Sequence, residues 1–229
     1  MQAKILQTLR TLRSYALEKG YEISLLYHEE DSYLMRFANS AISLNTNEHL
    51  IRLEITAYQG KKRASFELIT ELSKMEEMQQ GIETAAEMVQ HAMPLTYQPT
   101  VPVFAQSSIT ETACDENLAA ISNAEKLAFF NQAVAGLESE SIKLSGIFSN
   151  GSNTLAAINT RSEHIIYNKT SDAQVSIVLA HETLKWEVTA EQSAQRKSDL
   201  DAQSLHAQLA YLVQHYQQDT PQQIPLGKY

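Results

Sequence analysis

Two histidine–glutamate pairs, His28-Glu29 and His181-Glu182, are the residues of this 229-residue chain whose types suggest metal-assisted hydrolysis. A zinc-hydrolase helix sets two histidines one turn apart so that both reach the metal, with a glutamate between them to position a water. Here Ser32 stands four residues after His28 and Lys185 four after His181, with Tyr33 and Trp186 at five. Both pairs also fall where polar residues are expected to turn the chain between alternating strands. No zinc-hydrolase site follows from either pair, and the sequence nominates no catalytic residue and no metal ligand set.

Other reactive types give equally little. His28, Glu29, Glu30 and Asp31 could offer oxygens and nitrogen to a divalent cation, but neighbouring side chains on one turn seldom converge. His206 and His215 lie nine residues apart on one predicted helix, on different turns and with no flanking carboxylate. Cys114 has no histidine near it in sequence and reads as an inert thiol. The seven glycines never form a phosphate-cradling run, and no nucleophile-elbow signature is present. Arg36, Asn39 and Asn45 are the positions singled out instead. They could line a groove and bond the backbone of an extended peptide, or hold a paired subunit. The asparagines could equally support turns while Arg36 caps a sheet edge.

The net charge of −9 argues against nucleic acid as the main ligand, because a phosphate backbone repels an acidic surface. Lys61-Lys62-Arg63, the one basic run, follows Gln59-Gly60 and reads as a solvated hairpin tip. With 43% apolar and 20% charged residues a packed core is expected. No apolar run approaches the roughly 20 residues of a membrane span. The N-terminus lacks an apolar signal core, and a single cysteine fits a reducing compartment. These features predict a cytoplasmic protein.

The elements that must position these residues follow one order twice. A helix carrying Ile5, Leu9, Leu12 and Ala16 ends at Gly20. Strand-like pieces follow at Glu22–Tyr27, Tyr33–Ala38, Ala41–Asn45 and Leu50–Tyr58, with a polar turn over His28–Ser32. A Gly60 turn leads to a strand through Ala64, Phe66 and Leu68. Ser73 and Glu76 then read as a capping box for a helix carrying Met75, Met78, Ile82, Val89 and Met93, stopped by Pro94. The methionines are expected to be core packing. Residues 95–121 hold Pro99 and Pro102, show no period, and read as a linker. A second capping box, Ser122 with Glu125, opens the repeat of the pattern. Its strands surround a turn signal at Ser149–Asn153, and its last helix carries Leu205, Leu209 and Val213. The reading is an α+β protein of two tandem helix–(about five mostly antiparallel strands)–helix units, related by duplication. Residues 1–94 and 122–219 would be the two domains, with a tail over 220–229.

The segment Arg36-Phe-Ala-Asn39-Ser-Ala-Ile42-Ser-Leu-Asn45 resembles the N-terminal motif of the TldD/PmbA family, historically called modulators of DNA gyrase. The family pattern runs roughly Arg-x-Ala-Asn-x-x-Ile-x-Gln-Asn; Arg36, Ala38, Asn39, Ile42 and Asn45 match, while Leu44 replaces glutamine. The second unit is similar to the family's central domain, including Asn159-Thr160-Arg161, and Ile224–Tyr229 resembles the lead into its C-terminal domain. The resemblance implies the N-terminal and central portions of a cytoplasmic metalloprotease-related system acting on peptides or unfolded proteins. It implies a homo- or heterodimer with a TldD/PmbA-type subunit, and neither membrane nor nucleic-acid binding. Arg36, Asn39, Asn45 and Arg161 are the implied peptide or subunit contacts. Zinc is implied only in a C-terminal domain outside this chain, or in the partner subunit. This portion would then bind substrate and pair subunits without catalysing. A free-standing regulatory or scaffold protein that has lost the catalytic domain is the alternative.

Overall fold

The structure, a computed structural model, describes residues 1–218 and Gly227. The expected lead into a further domain at residues 224–229 therefore lies, Gly227 aside, outside the described residues. In chain order the elements are α1 (Gln2–Glu18), β1 (Glu22–Ala38), β2 (Ala41–Gln59), β3 (Lys62–Ile69) and α2 (Met75–His91). Then come β4 (Ser108–Ala113), α3 (Glu116–Ala119), α4 (Asn123–Ala133), β5 (Ile142–Asn159), β6 (Ser162–His181), β7 (Glu187–Ala194) and α5 (Ala202–Gln218). The class is α+β. Strands run in the order β3-β2-β1-β5-β6-β4, with β7 also on β6. The sheet is largely antiparallel; the exception is β4, which pairs parallel to β6 and places Ser108 opposite Ile166.

Two expected turns are strand instead. His28–Ser32 continues β1, and Ser149–Asn153 continues β5. The polar run over 28–32 keeps the strand's alternation, so Glu29 stays on the buried face and accepts a hydrogen bond from Tyr27 Oη at 2.9 Å. Gly151 is required by close approach: a Cβ there would stand 2.1 Å from the Asp31 carbonyl oxygen. Asn150 is buried, and its amide donates to the Leu118 and Ala119 carbonyls at 3.1 and 2.8 Å.

The helix ends follow the sequence in part. Gly20 has φ +73°, as the end of α1 requires. The Ser122–Glu125 capping box forms at α4. At α2 the cap position is Lys74, and Ser73 Oγ bonds Glu71 rather than the helix backbone. Within the stretch read as unstructured linker, Ser108–Ala113 forms β4 and Glu116–Ala119 forms α3. No helix among the described residues is long and apolar enough to cross a membrane.

The chain packs as two compact units. The first comprises Met1–Ser32, Glu48–Asp115 and Gly151–Ser171, and the second Tyr33–Asn47, Glu116–Asn150 and Asp172–Tyr229. The first buries Ile5, Leu9 and Leu12 of α1 and Met78, Ile82 and Val89 of α2 on Ile23, Leu25, Leu53, Ile55 and Ile165. The second buries Met35 and Phe37 with Phe130 of α4, Phe148, Val175, Ile177 and Leu205 and Leu209 of α5. Phe37 and Phe130 lie with ring centroids 4.0 Å apart.

Candidate functional site

The strands β1 and β2 turn through Asn39 and Ser40, both in the left-handed region at φ 50° and 60°. Two consecutive left-handed residues make the tight hairpin whose twist matches its strands, and asparagine tolerates that region better than most residues. Ser40 further fixes the tip: its N–H donates to Leu144 O at 2.9 Å and its Oγ accepts from Leu144 N at 3.1 Å. Asn39 is thereby assigned a turn-forming position.

Beyond the tip, the first part of β2 contributes no side chain to either core. Every residue from Ala41 to His49 is exposed, on both faces of the strand. Ile42 and Leu44 are 48% and 42% exposed. β3 pairs only with Arg52–Gln59. Among the described residues, the outer edge of Ala41–His49 therefore meets no strand. A flat strand with an unpaired edge and exposed apolar side chains is a template for another strand.

Arg36, Asn39 and Asn45 are all exposed on this hairpin. Arg36 offers its carbonyl to Ser43 Oγ at 3.3 Å, a contact across the two strands. Arg161 lies elsewhere, in the first compact unit, at the β5–β6 turn, where its guanidinium pairs with Glu22. Asn159 organises that turn. Its Oδ1 accepts from Arg161 N at 2.9 Å and Ser162 N at 3.0 Å, while its amide donates to Pro102 O at 2.9 Å. Asn159 is buried, so the segment after α2 is tied to the sheet by a satisfied polar side chain.

Two further groupings depend on residues the sequence did not connect, His49 with Glu29 and Asp31 in the first and every member of the second. Glu29, Asp31 and His49 come together from neighbouring strands, with His49 Nδ1 2.6 Å from Asp31 Oδ1. Arg10, Arg13, Ser107 and His164 line a cavity of about 440 Å³. Ser107 Oγ and His164 Nδ1 stand 3.5 Å apart, and Ser107 Oγ also accepts from Ile165 N at 3.2 Å, which ties Ser107 to β6. Separation of 18 to 57 residues in sequence hides both groupings from a local reading.

Solved structures share this fold, three of them as follows. A candidate modulator of a DNA gyrase from Thermotoga maritima superposes with a TM-score of 0.68 at 14% identity, over 90% of this chain and 46% of that one. The chain has their fold. TldE from Thermococcus kodakarensis gives 0.68 at 13% identity, over 92% and 47% of the two chains. A candidate modulator of DNA gyrase from Bacteroides thetaiotaomicron gives 0.68 at 12%, over 91% and 49%. These are TldD/PmbA-type structures, and the chain spans about half the length of each. No family model matches the sequence, and no curated protein matches it.

The protease zinc that the TldD/PmbA resemblance implies does not fit the His-Glu pairs of this chain. His28 lies within β1, where its Nε2 is 3.2 Å from Asn153 Oδ1. His181 ends β6, and its Nδ1 accepts the backbone N–H groups of Thr183 and Leu184 at 3.2 and 3.1 Å. Neither pair stands on a helix, so neither can present two imidazoles on one face.

Proposed function

We propose that this chain is the substrate-binding and subunit-pairing part of a TldD/PmbA-type metalloprotease system, acting on peptides or unfolded proteins. The observation that carries the reading is the two-sided exposure and open edge of Ala41–His49, which overlaps the TldD/PmbA-like motif over Ala41–Asn45. An extended peptide adding to that edge gains main-chain hydrogen bonds regardless of its sequence, as an unfolded-protein binder requires. Ile42 and Leu44 supply apolar contacts to its side chains, and Arg36 and Asn45 supply polar ones. The same edge serves a strand from a paired TldD/PmbA-type subunit. Catalysis falls to zinc held outside this chain, because neither His-Glu pair forms the helical zinc motif, His28 and His181 both being strand residues. The protein works in the cytoplasm and takes neither nucleic acid nor membrane as its partner.

Binding of a fluorescent unfolded peptide, followed by anisotropy, tests this. The native chain should bind it, and a peptide N-methylated at alternate residues should bind at least about tenfold more weakly, since each lost main-chain bond removes about 0.5–1.5 kcal/mol. Ile42→Lys with Leu44→Lys should reduce binding while leaving the circular dichroism unchanged. Equal binding of both peptides would remove strand addition from the mechanism. Absence of binding both to peptide and to a TldD/PmbA-type subunit would remove the whole reading.

A further inference from the structure

The buried face of β1 ends its apolar run in two carboxylates. Ile23, Leu25 and Tyr27 are followed on that face by Glu29 and Asp31, and the corresponding face of β2 runs from Ile51 to His49. Glu29 is only 5% exposed. Its Oε2 is held by the Tyr27 hydroxyl at 2.9 Å, while among the described residues no donor lies within hydrogen-bond distance of Oε1. That oxygen faces His49 Nε2 at 3.6 Å. Asp31 Oδ1 sits on the other ring nitrogen, Nδ1, at 2.6 Å. One donor atom from each of the three side chains lies within 4.8 Å of the other two.

We propose that Glu29 Oε1 and His49 Nε2 bind a divalent transition-metal ion, with Asp31 supporting the imidazole from Nδ1 and Zn²⁺ the best match to a carboxylate and an imidazole. Three features carry this. The first is charge: two carboxylates, one of them almost fully buried, are fully balanced by one dication with a neutral imidazole, whereas a proton on His49 leaves one negative charge over. The second is distance. Two metal–ligand bonds of about 2.1 Å meeting near the tetrahedral angle hold their donors about 3.4 Å apart, close to the gap between Glu29 Oε1 and His49 Nε2. The third is support around the ligands. Tyr27 orients Glu29, and Asp31 on Nδ1 holds the His49 ring with Nε2 turned toward Glu29, as partners of metal-ligating side chains do. Glu29 and His49 also line a cavity of about 440 Å³ with Thr70, Glu71, Lys4 and Lys74, which leaves room for water or a ligand on the metal. Lys74 is engaged by Glu77 at 3.6 Å. An imidazole in the set disfavours Mg²⁺ and Ca²⁺, which prefer oxygen alone.

This inference does not rest on the proposed peptide binding. The test is calorimetric titration of the chelator-treated, 229-residue chain with Zn²⁺, then Mn²⁺ and Mg²⁺. The expected result is one Zn²⁺ per chain, weaker Mn²⁺ and no Mg²⁺, with the melting midpoint raised by about 5–10 °C at a hundredfold excess over Kd. His49→Gln, at an exposed position, should abolish binding with unchanged circular dichroism, and Asp31→Asn should weaken it by about 10–100-fold. His215→Gln should bind like the native chain. Absence of one-to-one Zn²⁺ binding, or binding that survives His49→Gln, would overturn the assignment.

Discussion

Replacing Lys126 with methionine should make this protein more stable, a direction opposite to that of most core substitutions. Lys126 lies in α4 with 0% of its surface exposed, and its Nζ has no hydrogen-bond partner among the described residues. A buried polar group left unpaired costs about 1–3 kcal/mol. Some of that is returned by two aromatic rings, Tyr33 and Phe148, whose centroids lie 5.6 and 5.8 Å from the nitrogen. Cation–π contacts at these distances return about 0.5–2 kcal/mol. Methionine keeps the length of the stem, removes the desolvated amine, and can itself pack sulfur against the rings. The balance favours the variant by about 1 kcal/mol at neutral pH, or about 2–4 °C in Tm. Burial also pushes the Lys126 pKa down. The sign of the pH dependence follows. Between the depressed folded value and the unfolded value near about 10.4, the unfolded chain holds the extra proton, so native stability climbs with pH. The slope has a ceiling of about 1.4 kcal/mol per pH unit. The advantage of Lys126→Met should therefore be largest near neutrality and shrink toward about pH 10. Urea unfolding of both proteins at several pH values, followed by the fluorescence of the sole tryptophan, Trp186, measures this. A variant less stable than the native chain at neutral pH, or a stability gap that does not narrow as pH rises, would refute the reasoning.

Gly151→Ala should be destabilising by at least about 1–3 kcal/mol, because the new methyl would meet the Asp31 carbonyl oxygen at 2.1 Å and β1 must move; an unchanged urea midpoint would contradict this. Asn159→Ala leaves the Arg161 and Ser162 N–H groups and the Pro102 carbonyl without their partner, and should lower stability by about 2–4 kcal/mol with faster proteolysis near Pro102. Ser122→Ala removes the α4 cap and should cost about 1 kcal/mol in chemical denaturation. The Lys197 ammonium and then Ser122 hold the Glu125 pKa down at about 2. That carboxylate's contribution is present above its ordinary pKa near 4.5 and fades as pH falls toward 2, so the cap variant should lose less stability than the native chain across that acid range.

What the sequence made readable, and what it hid, divides along the range of the interactions involved. The helix over 2–18 and its Gly20 end, the Gly60 hairpin and the Ser122 cap are set by residues within four positions of one another, and each forms. The polar runs at 28–32 and 149–153 carry the same local signals, yet both continue as strand. There the deciding partners are remote: His49 beside Glu29, and the Asp31 backbone against Gly151. The candidate sites divide in the same way. The stretch from Arg36 to Asn45 was visible because its residues are contiguous, although its open edge depends on where β3 stops, which no residue within it encodes. His28 and Glu29 are adjacent in sequence, but adjacent strand residues point to opposite faces. His28 accordingly faces Asn153, while Glu29 turns to a histidine 20 positions away. In a sheet protein the donors able to share one ion are therefore found at alternate positions and across the neighbouring strand. A search for metal sites by sequence spacing, calibrated on helices, reads straight past them.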